Sequence, residues 1–301
     1  MADNGRRCGF VALVGAPNAG KSTLTNRLVG SKVSIVTHKA QTTRARIRAI
    51  AVEGETQIIL VDTPGIFEPK RRLDRAMVGT AQEEARDADI VVLLIDAARG
   101  IDGNARTALD ALDGIGVPRV LCLNKIDRLR KEALLALTKE VSNEADFSAV
   151  FMISALNGSG VDDLRNYLTK ALPAGPWLYP EDQIADIPLR LSAAEITREK
   201  LYLRLHDELP YASTVETTAW KRLKDGSVRI EQTIYVERSS QKKIVLGKGG
   251  ETVKKLSMES RKEIAEMVET PVHLFLFVKV RERWSEDPER YREMGLEFPD
   301  G

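Results

Sequence analysis

Cysteine and aromatic residues are scarce in this chain, and long apolar runs are missing. Two cysteines among 301 residues, Cys8 and Cys122, stand far apart. They suggest neither a disulfide framework nor a metal site, so a reducing compartment, the cytoplasm, is the expectation. Cys122 lies in an apolar run and reads as a small buried hydrophobe. No stretch approaches the length that spans a bilayer and no leader-like segment opens the chain, which leaves peripheral contact as the expected form of membrane association. Charge of one sign is lacking too: 45 basic against 44 acidic residues give a formal net charge of +1. No whole-molecule field points to a polyanion, and any nucleic-acid signal must be local.

The material present, 43% hydrophobic over 301 residues, suffices for one large domain or two ordinary ones. No internal repeat or low-complexity segment divides it. The apolar run Phe10–Val14 reads as a strand, and Thr23–Val29 as the first turns of a helix. Between them stand Gly15, Ala16, Pro17, Asn18, Ala19, Gly20, Lys21 and Ser22, with Thr23 following. This is the spacing of a phosphate loop, in which glycines let successive N–H groups converge on oxygens and the helix N-terminus adds positive potential. Lys21 would reach the β- and γ-phosphates, and the Ser22 hydroxyl would hold Mg2+.

The rest of the first half alternates strands and helices. Residues 46–52 and 57–62 read as a hairpin joined by a short Glu-Gly-Glu-Thr turn. Residues 90–95, 119–123 and 150–153 are apolar on both faces, as buried parallel strands are. Helical spacing occupies 73–86, 104–112, 129–144 and 161–172. The expectation is a doubly wound, mostly parallel α/β sheet, with functional groups at the strand C-termini. Three prolines and a glycine in residues 172–180 break this rhythm and read as an ordered, semi-stiff linker. A smaller α+β domain follows: a helix over 193–209, a hairpin of 214–223 and 228–236 turning at Lys224, Asp225 and Gly226, a basic segment over 239–250, a helix over 251–268 and a strand over 272–280. Residues 284–301 are acidic and irregular, a tail or a short packing helix.

Further segments narrow the nucleotide. Asp62, Thr63, Pro64 and Gly65 close a strand, where Asp62 would hold Mg2+ through water and the Gly65 N–H would sense a γ-phosphate. Asn124, Lys125, Ile126 and Asp127 follow a later strand. Guanine offers N1–H and N2–H2 donors that one carboxylate, Asp127, accepts together. Adenine would leave that carboxylate unpaired and desolvated, a mismatch that rejects an analogue by orders of magnitude. Asn124 would bridge base and phosphate loop, and the Lys125 stem would cover the ring. Ser154, Ala155 and Leu156 close the last strand of this half, with the Ala155 N–H offered to guanine O6. The expected ligand is GTP with Mg2+, the metal set being Ser22, Asp62 and a threonine from Gln41, Thr42, Thr43 and Arg44. Thr43 or Thr42 can serve, and Thr43 is favoured. After Gly65, where Ras-like enzymes often place a water-orienting glutamine, stands Ile66, so hydrolysis should be slow in isolation. Asn18 is the candidate to compensate, its amide oxygen holding K+ beside the phosphates. Lys21, Thr43, Gly65 and Asn18 thus form the expected catalytic group.

In the second half, Gly247, Lys248, Gly249 and Gly250 lie between a short helix and a longer one. Gly-x-x-Gly between helices clamps a nucleotide backbone in KH domains, because only glycine admits phosphates so closely. The order helix, hairpin, short helix, glycine loop, helix, strand is that of a bacterial, type II KH fold. Lys242, Lys243, Lys248, Lys254, Lys255, Arg261 and Lys262 face only Glu251 and Glu259, a local basic patch. Ile244, Val245 and Leu246 would floor a groove for splayed bases. The RNA-binding set is Lys242, Lys243, Ile244, Gly247, Lys248, Gly249, Gly250 and Lys254.

Gly-Ala-Pro-Asn-Ala-Gly-Lys-Ser-Thr, Gln-Thr-Thr-Arg, Asp-Thr-Pro-Gly, Asn-Lys-Ile-Asp, Ser-Ala-Leu-Asn-Gly and Val-Leu-Gly-Lys-Gly-Gly, in this order over nearly the whole chain, resemble the Era family of bacterial GTPases. The resemblance implies a GTPase domain over 8–175, a linker over 176–188, a type II KH domain over 189–283 and a tail over 284–301. It also implies binding of single-stranded RNA near the 3′ end of 16S rRNA on the 30S subunit, assistance to assembly of that subunit, GTP-controlled domain orientation and loose association with the inner membrane. An apolar residue at the position of Ile66 agrees with the family, and a monomer is expected. Two rival classes stand beside this reading. One is a small-molecule phosphotransferase, which Asn124–Asp127 speaks against. The other is a membrane-associated signalling GTPase whose last domain binds only protein.

Overall fold

The runs that are apolar on both faces form one sheet in the computed structural model, which describes residues 5–39, 41–142 and 144–299. Ala40 in the polar segment 31–44, Asn143 in the expected helix 129–144, and the last two residues of the expected tail lie outside the described residues. In chain order the elements are β1 (Arg7–Gly15), α1 (Lys21–Val29), β2 (Ile47–Glu53), β3 (Thr56–Asp62), α2 (Arg72–Asp87), β4 (Ile90–Asp96), α3 (Gly103–Asp110), β5 (Arg119–Asn124), α4 (Lys131–Ser142), β6 (Ala149–Ile153), α5 (Val161–Ala171) and β7 (Ala185–Asp186). The sheet order is β6-β5-β4-β1-β3-β2-β7, parallel from β6 to β3, with β2 antiparallel to both β3 and β7.

Successive residues of a strand face opposite ways. Val11 and Leu13 accordingly join one core cluster with Leu60 and Cys122, while Ala12 and Val14 join another with Val91 and Leu121. Burial pushes the Cys122 thiol far above its ordinary pKa, as a packing residue requires. β1 lies between β3 and β4, so the winding reverses beside it. A crevice at such a reversal is where an open α/β sheet takes its ligand.

The stretch expected as a linker is stitched to this sheet. Cys8 N–H donates to Pro173 O at 3.2 Å and Gly175 N–H to Arg6 O at 3.1 Å. Gln57 is fully buried; its Oε1 accepts from Leu178 N at 2.9 Å and Tyr179 N at 3.0 Å, and its Nε2 donates to Tyr179 O at 2.8 Å. β7 then adds to the edge of β2. The chain divides into one unit up to Asp186, which also includes the residues from Met294 onward, and a second unit, Ile187–Glu293.

The second unit runs α6 (Leu189–Arg204), β8 (Ser213–Arg222), β9 (Val228–Val236), α7 (Ser239–Leu246), α8 (Glu251–Met267), β10 (Val272–Val280) and α9 (Pro288–Glu293). β9 pairs antiparallel with β8 and parallel with β10. α6 begins and ends earlier than the 193–209 expected from periodicity. Pro188 supplies its N-cap with φ −58, and Leu205 leaves it in extended conformation. Leu189 is exposed, so the first turn lies off the buried face that the periodicity follows. Trp284 is 1% exposed and donates Nε1–H to Ala212 O at 3.1 Å; Tyr291 is fully buried. Residues 284–293 are thus part of the second unit's packing, anchored by aromatics that a charged composition hides. Among the described residues no helix is long and apolar enough to cross a membrane.

Candidate functional site

β1 ends at Gly15 and the chain turns directly into α1. Gly15 has φ +151, and a Cβ there would lie 2.4 Å from the Leu94 carbonyl oxygen; at Gly20, φ +105, it would lie 2.2 Å from Asn124 Nδ2. Both positions therefore exclude a side chain sterically as well as conformationally. A Cβ on Gly65 would meet Pro17 N at 2.8 Å, so the loop after β3 passes against the phosphate loop.

Lys21 is buried inside that loop, its Nζ donating to Gly15 O at 2.9 Å and Ala16 O at 3.1 Å. Burial pulls its pKa down to about 8, against the opposing attraction of Asp62. A cation so poorly solvated has much to gain from an incoming anion. Asp62 is fully buried at the end of β3, and neither carboxylate oxygen accepts a well-formed hydrogen bond. Burial raises its pKa, and the facing hydroxyls of Ser22, Ser34 and Thr43 and the charge of Lys21 offset this only in part. Ser22 Oγ and Thr43 Oγ1 lie 2.8 Å apart. An unsatisfied carboxylate beside two hydroxyls is an all-oxygen donor set of the kind that suits a hard divalent cation. Thr42 is engaged elsewhere: its hydroxyl contacts that of Thr37 at 2.6 Å and donates to Lys39 O at 2.8 Å.

Asn124 ties the site together, donating from Nδ2 to Ala19 O at 2.8 Å and accepting from Ala155 N at 2.9 Å. The Ala155 N–H expected at guanine O6 is thus given to Asn124. Ser154 Oγ donates to Asp127 Oδ1 at 2.6 Å. Lys125, in the left-handed region at φ +66, bonds Asn18 O at 2.7 Å and Asp96 Oδ2 at 2.6 Å. Gly20, Thr23, Asn124, Lys125, Asp127 and Ala155 border a cavity of about 150 Å3, and Asn18, Lys21, Ser22, Thr43 and Gly65 border one of about 440 Å3. The two cavities adjoin, sharing Gly20, Thr23, Lys125 and Arg128. Asn18 Nδ2 donates to His38 O at 3.0 Å, joining the phosphate loop to the segment that carries Thr43. Thr63 is spent on Leu13 O at 2.7 Å, and the Ile66 side chain packs in the core. Both leave only backbone for a nucleotide. Leu156 is exposed.

In the second unit α7 ends at Gly247, φ +74, and Gly249 and Gly250 follow at φ +60 and +81. A Cβ on Gly247 would lie 2.2 Å from Thr252 Oγ1, whereas Gly249 and Gly250 have nothing within 4 Å. Lys243, Ile244, Lys248 and Lys254 are exposed, Lys242 is half-buried, and Val245 is fully buried. Helical rotation therefore leaves Ile244 as the exposed apolar residue of the expected groove floor. Glu251 pairs with Lys255 at 2.7 Å and Glu259 with Arg204, while Lys242, Lys243, Lys248 and Lys254 form no ion pair among the described residues. Glu251 and Glu259 are occupied, and these four lysines are not, among the described residues.

Two family models match: one described as a 50S ribosome-binding GTPase over residues 10–125, and a KH domain over 208–285. GTPase Era of Rhizobium meliloti (strain 1021) is 65% identical over 293 residues, covering 97% of this chain and 94% of its own length. GTPase Era of Brucella suis biovar 1 (strain 1330) is 66% identical over the same share of each chain. The chain belongs to the Era family of GTPases. A crystal structure of Era with MgGDPNP and nucleotides 1506–1542 of 16S ribosomal RNA superposes with a TM-score of 0.92 at 37% identity, covering 96% of this chain and 99% of that one. A point variant of Aquifex aeolicus Era bound to GDP·AlF4− superposes with a TM-score of 0.90 at the same identity and coverage.

Within this Era-family GTPase two supporting residues escape sequence reasoning. Asp96, the partner of Lys125, is the last residue of β4, and strand ends were its available signal. Arg27 on α1 donates to Ala155 O at 3.2 Å and to Leu156 O. Its target lies more than a hundred residues away, so no local pattern announces it.

Proposed function

We propose that this Era-family GTPase is a GTP–GDP switch whose glycine loop grips the 3′-terminal region of 16S rRNA during assembly of the 30S subunit. The observation that carries the switch is the buried Asp62 carboxylate, lacking a hydrogen-bond partner beside the Ser22–Thr43 pair. Ser22, Thr43 and Asp62 would hold Mg2+, which would supply positive charge against the nucleotide's phosphates. Lys21 exchanges its carbonyl contacts for phosphate oxygens, and the loop N–H groups oppose the charge that grows there. Asp127 selects guanine, and Asn124 keeps base and phosphate sites in register. Thr43 and the Gly65 N–H report the γ-phosphate. The Asn18 amide oxygen would hold K+, which would supply positive charge where Ile66 provides no polar group.

For the RNA, support comes from the positive-φ glycines, the unpaired lysines and exposed Ile244, together with the 16S fragment bound by the relative of known structure. GTP state controls RNA affinity in this reading, in a cytoplasmic monomer with a peripheral fraction at the inner membrane. The test uses the purified chain. GTP but not ATP should displace labelled GDP, and a 16S 3′-end RNA should bind differently in the GTP and GDP states. Equal displacement by ATP, or RNA affinity blind to nucleotide, overturns the reading. Equal hydrolysis rates in Na+ and K+ remove the K+ assignment alone.

A further inference from the structure

The residues after Glu293 return to the GTPase unit. Met294 accepts the Arg46 N–H through its carbonyl at 3.3 Å, and Arg46 stands directly before β2, three positions beyond Thr43. A Cβ on Gly295 would lie 3.9 Å from Arg46 Cβ, and Leu296 is buried. The Arg72 guanidinium lies over the Phe298 ring, 4.9 Å from its centroid. Arg72 is the first residue of α2, the next helix after Gly65 and six positions beyond Ile66. Arg46 closes the circuit by meeting Glu84 of α2 at 2.5 Å. One short segment therefore touches both polypeptide stretches that carry the γ-phosphate sensors.

We propose that residues 294–298 are a strap that positions the Thr43 and Gly65 segments for hydrolysis, with Phe298 as a positioning residue for the GTPase reaction. The proposal rests on the roles given above to Thr43 and Gly65. The Arg46 N–H needs an acceptor, and the Met294 carbonyl supplies it. The Arg72–Phe298 contact fixes the start of α2 by attraction between a cation and a ring face. None of these groups borders the base cavity or the Lys21 loop. Loosening the strap therefore leaves GDP binding to its own contacts and blurs only the alignment needed in the transition state. The strap follows α9 directly in the chain.

The test uses full-length Phe298→Ala, Arg72→Ala, their double variant, Phe298→Tyr and Thr43→Ala. It reads kcat and KM for GTP, GDP affinity, and thermal unfolding. Phe298→Ala and Arg72→Ala should each lower kcat roughly 3- to 10-fold with GDP affinity within about twofold of the parent. The double variant should be no worse than the worse single, and Phe298→Tyr should restore the parent rate. GDP affinity falling in step with kcat, multiplicative effects in the double variant, or unchanged kcat would each overturn the strap. If Phe298→Ala does not fold, Arg72→Ala and Phe298→Tyr decide alone: a normal kcat in the first or a slow one in the second refutes it. Thr43→Ala separates the layers. If it loses kcat while the strap variants do not, the strap alone falls; if it keeps kcat, the underlying reading falls with it.

Discussion

The two glycine loops of this molecule do different work with the same residue. In the GTPase unit, Gly15, Gly20 and Gly65 sit where a Cβ would collide with backbone or with a buried amide. Loop carbonyls already bond Lys21, Asn124 and Lys125, and Lys21 is desolvated in advance. In the second unit Gly249 and Gly250 face open space and are distinguished by positive φ alone, while lysines around them stand in water. The first arrangement is preorganised, which in the proposed reading lets it discriminate one base from another. The second offers an approach path and charge, which in the proposed reading favours a phosphate backbone and reads sequence weakly unless bases stack nearby.

The sharpest break in that comparison is chemical. Asp127→Ala should weaken GDP binding roughly 10²- to 10⁴-fold, because the guanine N–H donors lose their one acceptor, and should leave RNA affinity unchanged; fluorescent-GDP titration beside RNA filter binding measures both. Next, Gly247→Ala should reduce RNA affinity about tenfold while sparing GTP turnover, since a Cβ there drives into Thr252. Gly249→Ala, with open space around it, should cost only about 1 kcal/mol of unit stability from its φ, read by thermal unfolding.

The pH dependence sharpens the contrast further. Lys21 has a folded pKa of about 8 against an ordinary 10.5, so between those values the unfolded chain binds more protons and stability of nucleotide-free protein should rise with pH, by at most about 3 kcal/mol. Phosphate favours the charged form, so GDP affinity should fall above about pH 8 by up to about tenfold per unit; calorimetry at stepped pH gives both slopes. Lys248 is exposed and carries no such burial. The smallest effect expected is Lys254→Ala, which should weaken RNA binding a few-fold and lower the salt dependence by about one phosphate contact.

Much of this was legible in the chain because phosphate loops, base-reading motifs and buried parallel strands are local patterns. Strand ends at Gly15, Asp62 and Asn124 coincide with the motif residues, as the α/β layout requires. What was not legible depended on distant partners. The proline-rich stretch 172–180 carries only turn signals, yet Gln57 binds it as part of the sheet unit. Residues 284–293 read from composition as a tail or a short packing helix, and only the fold decides for the packing helix by burying Trp284 and Tyr291. The choice between Thr42 and Thr43 is another case, for adjacent identical residues carry identical composition and only the fold gives one of them Ser22 as a neighbour.

Sequence alone therefore determined the order of elements, the nucleotide class and the two-part architecture, since each follows from residue spacing along a few turns of chain. Tertiary structure alone decided that the Asp62 carboxylate is left without a well-formed hydrogen bond, that Lys21 is desolvated, and that Met294 and Phe298 meet Arg46 and Arg72. Burial and long-range contact are properties of a packed interior, and a linear pattern holds no measure of what stands on the far side of a side chain.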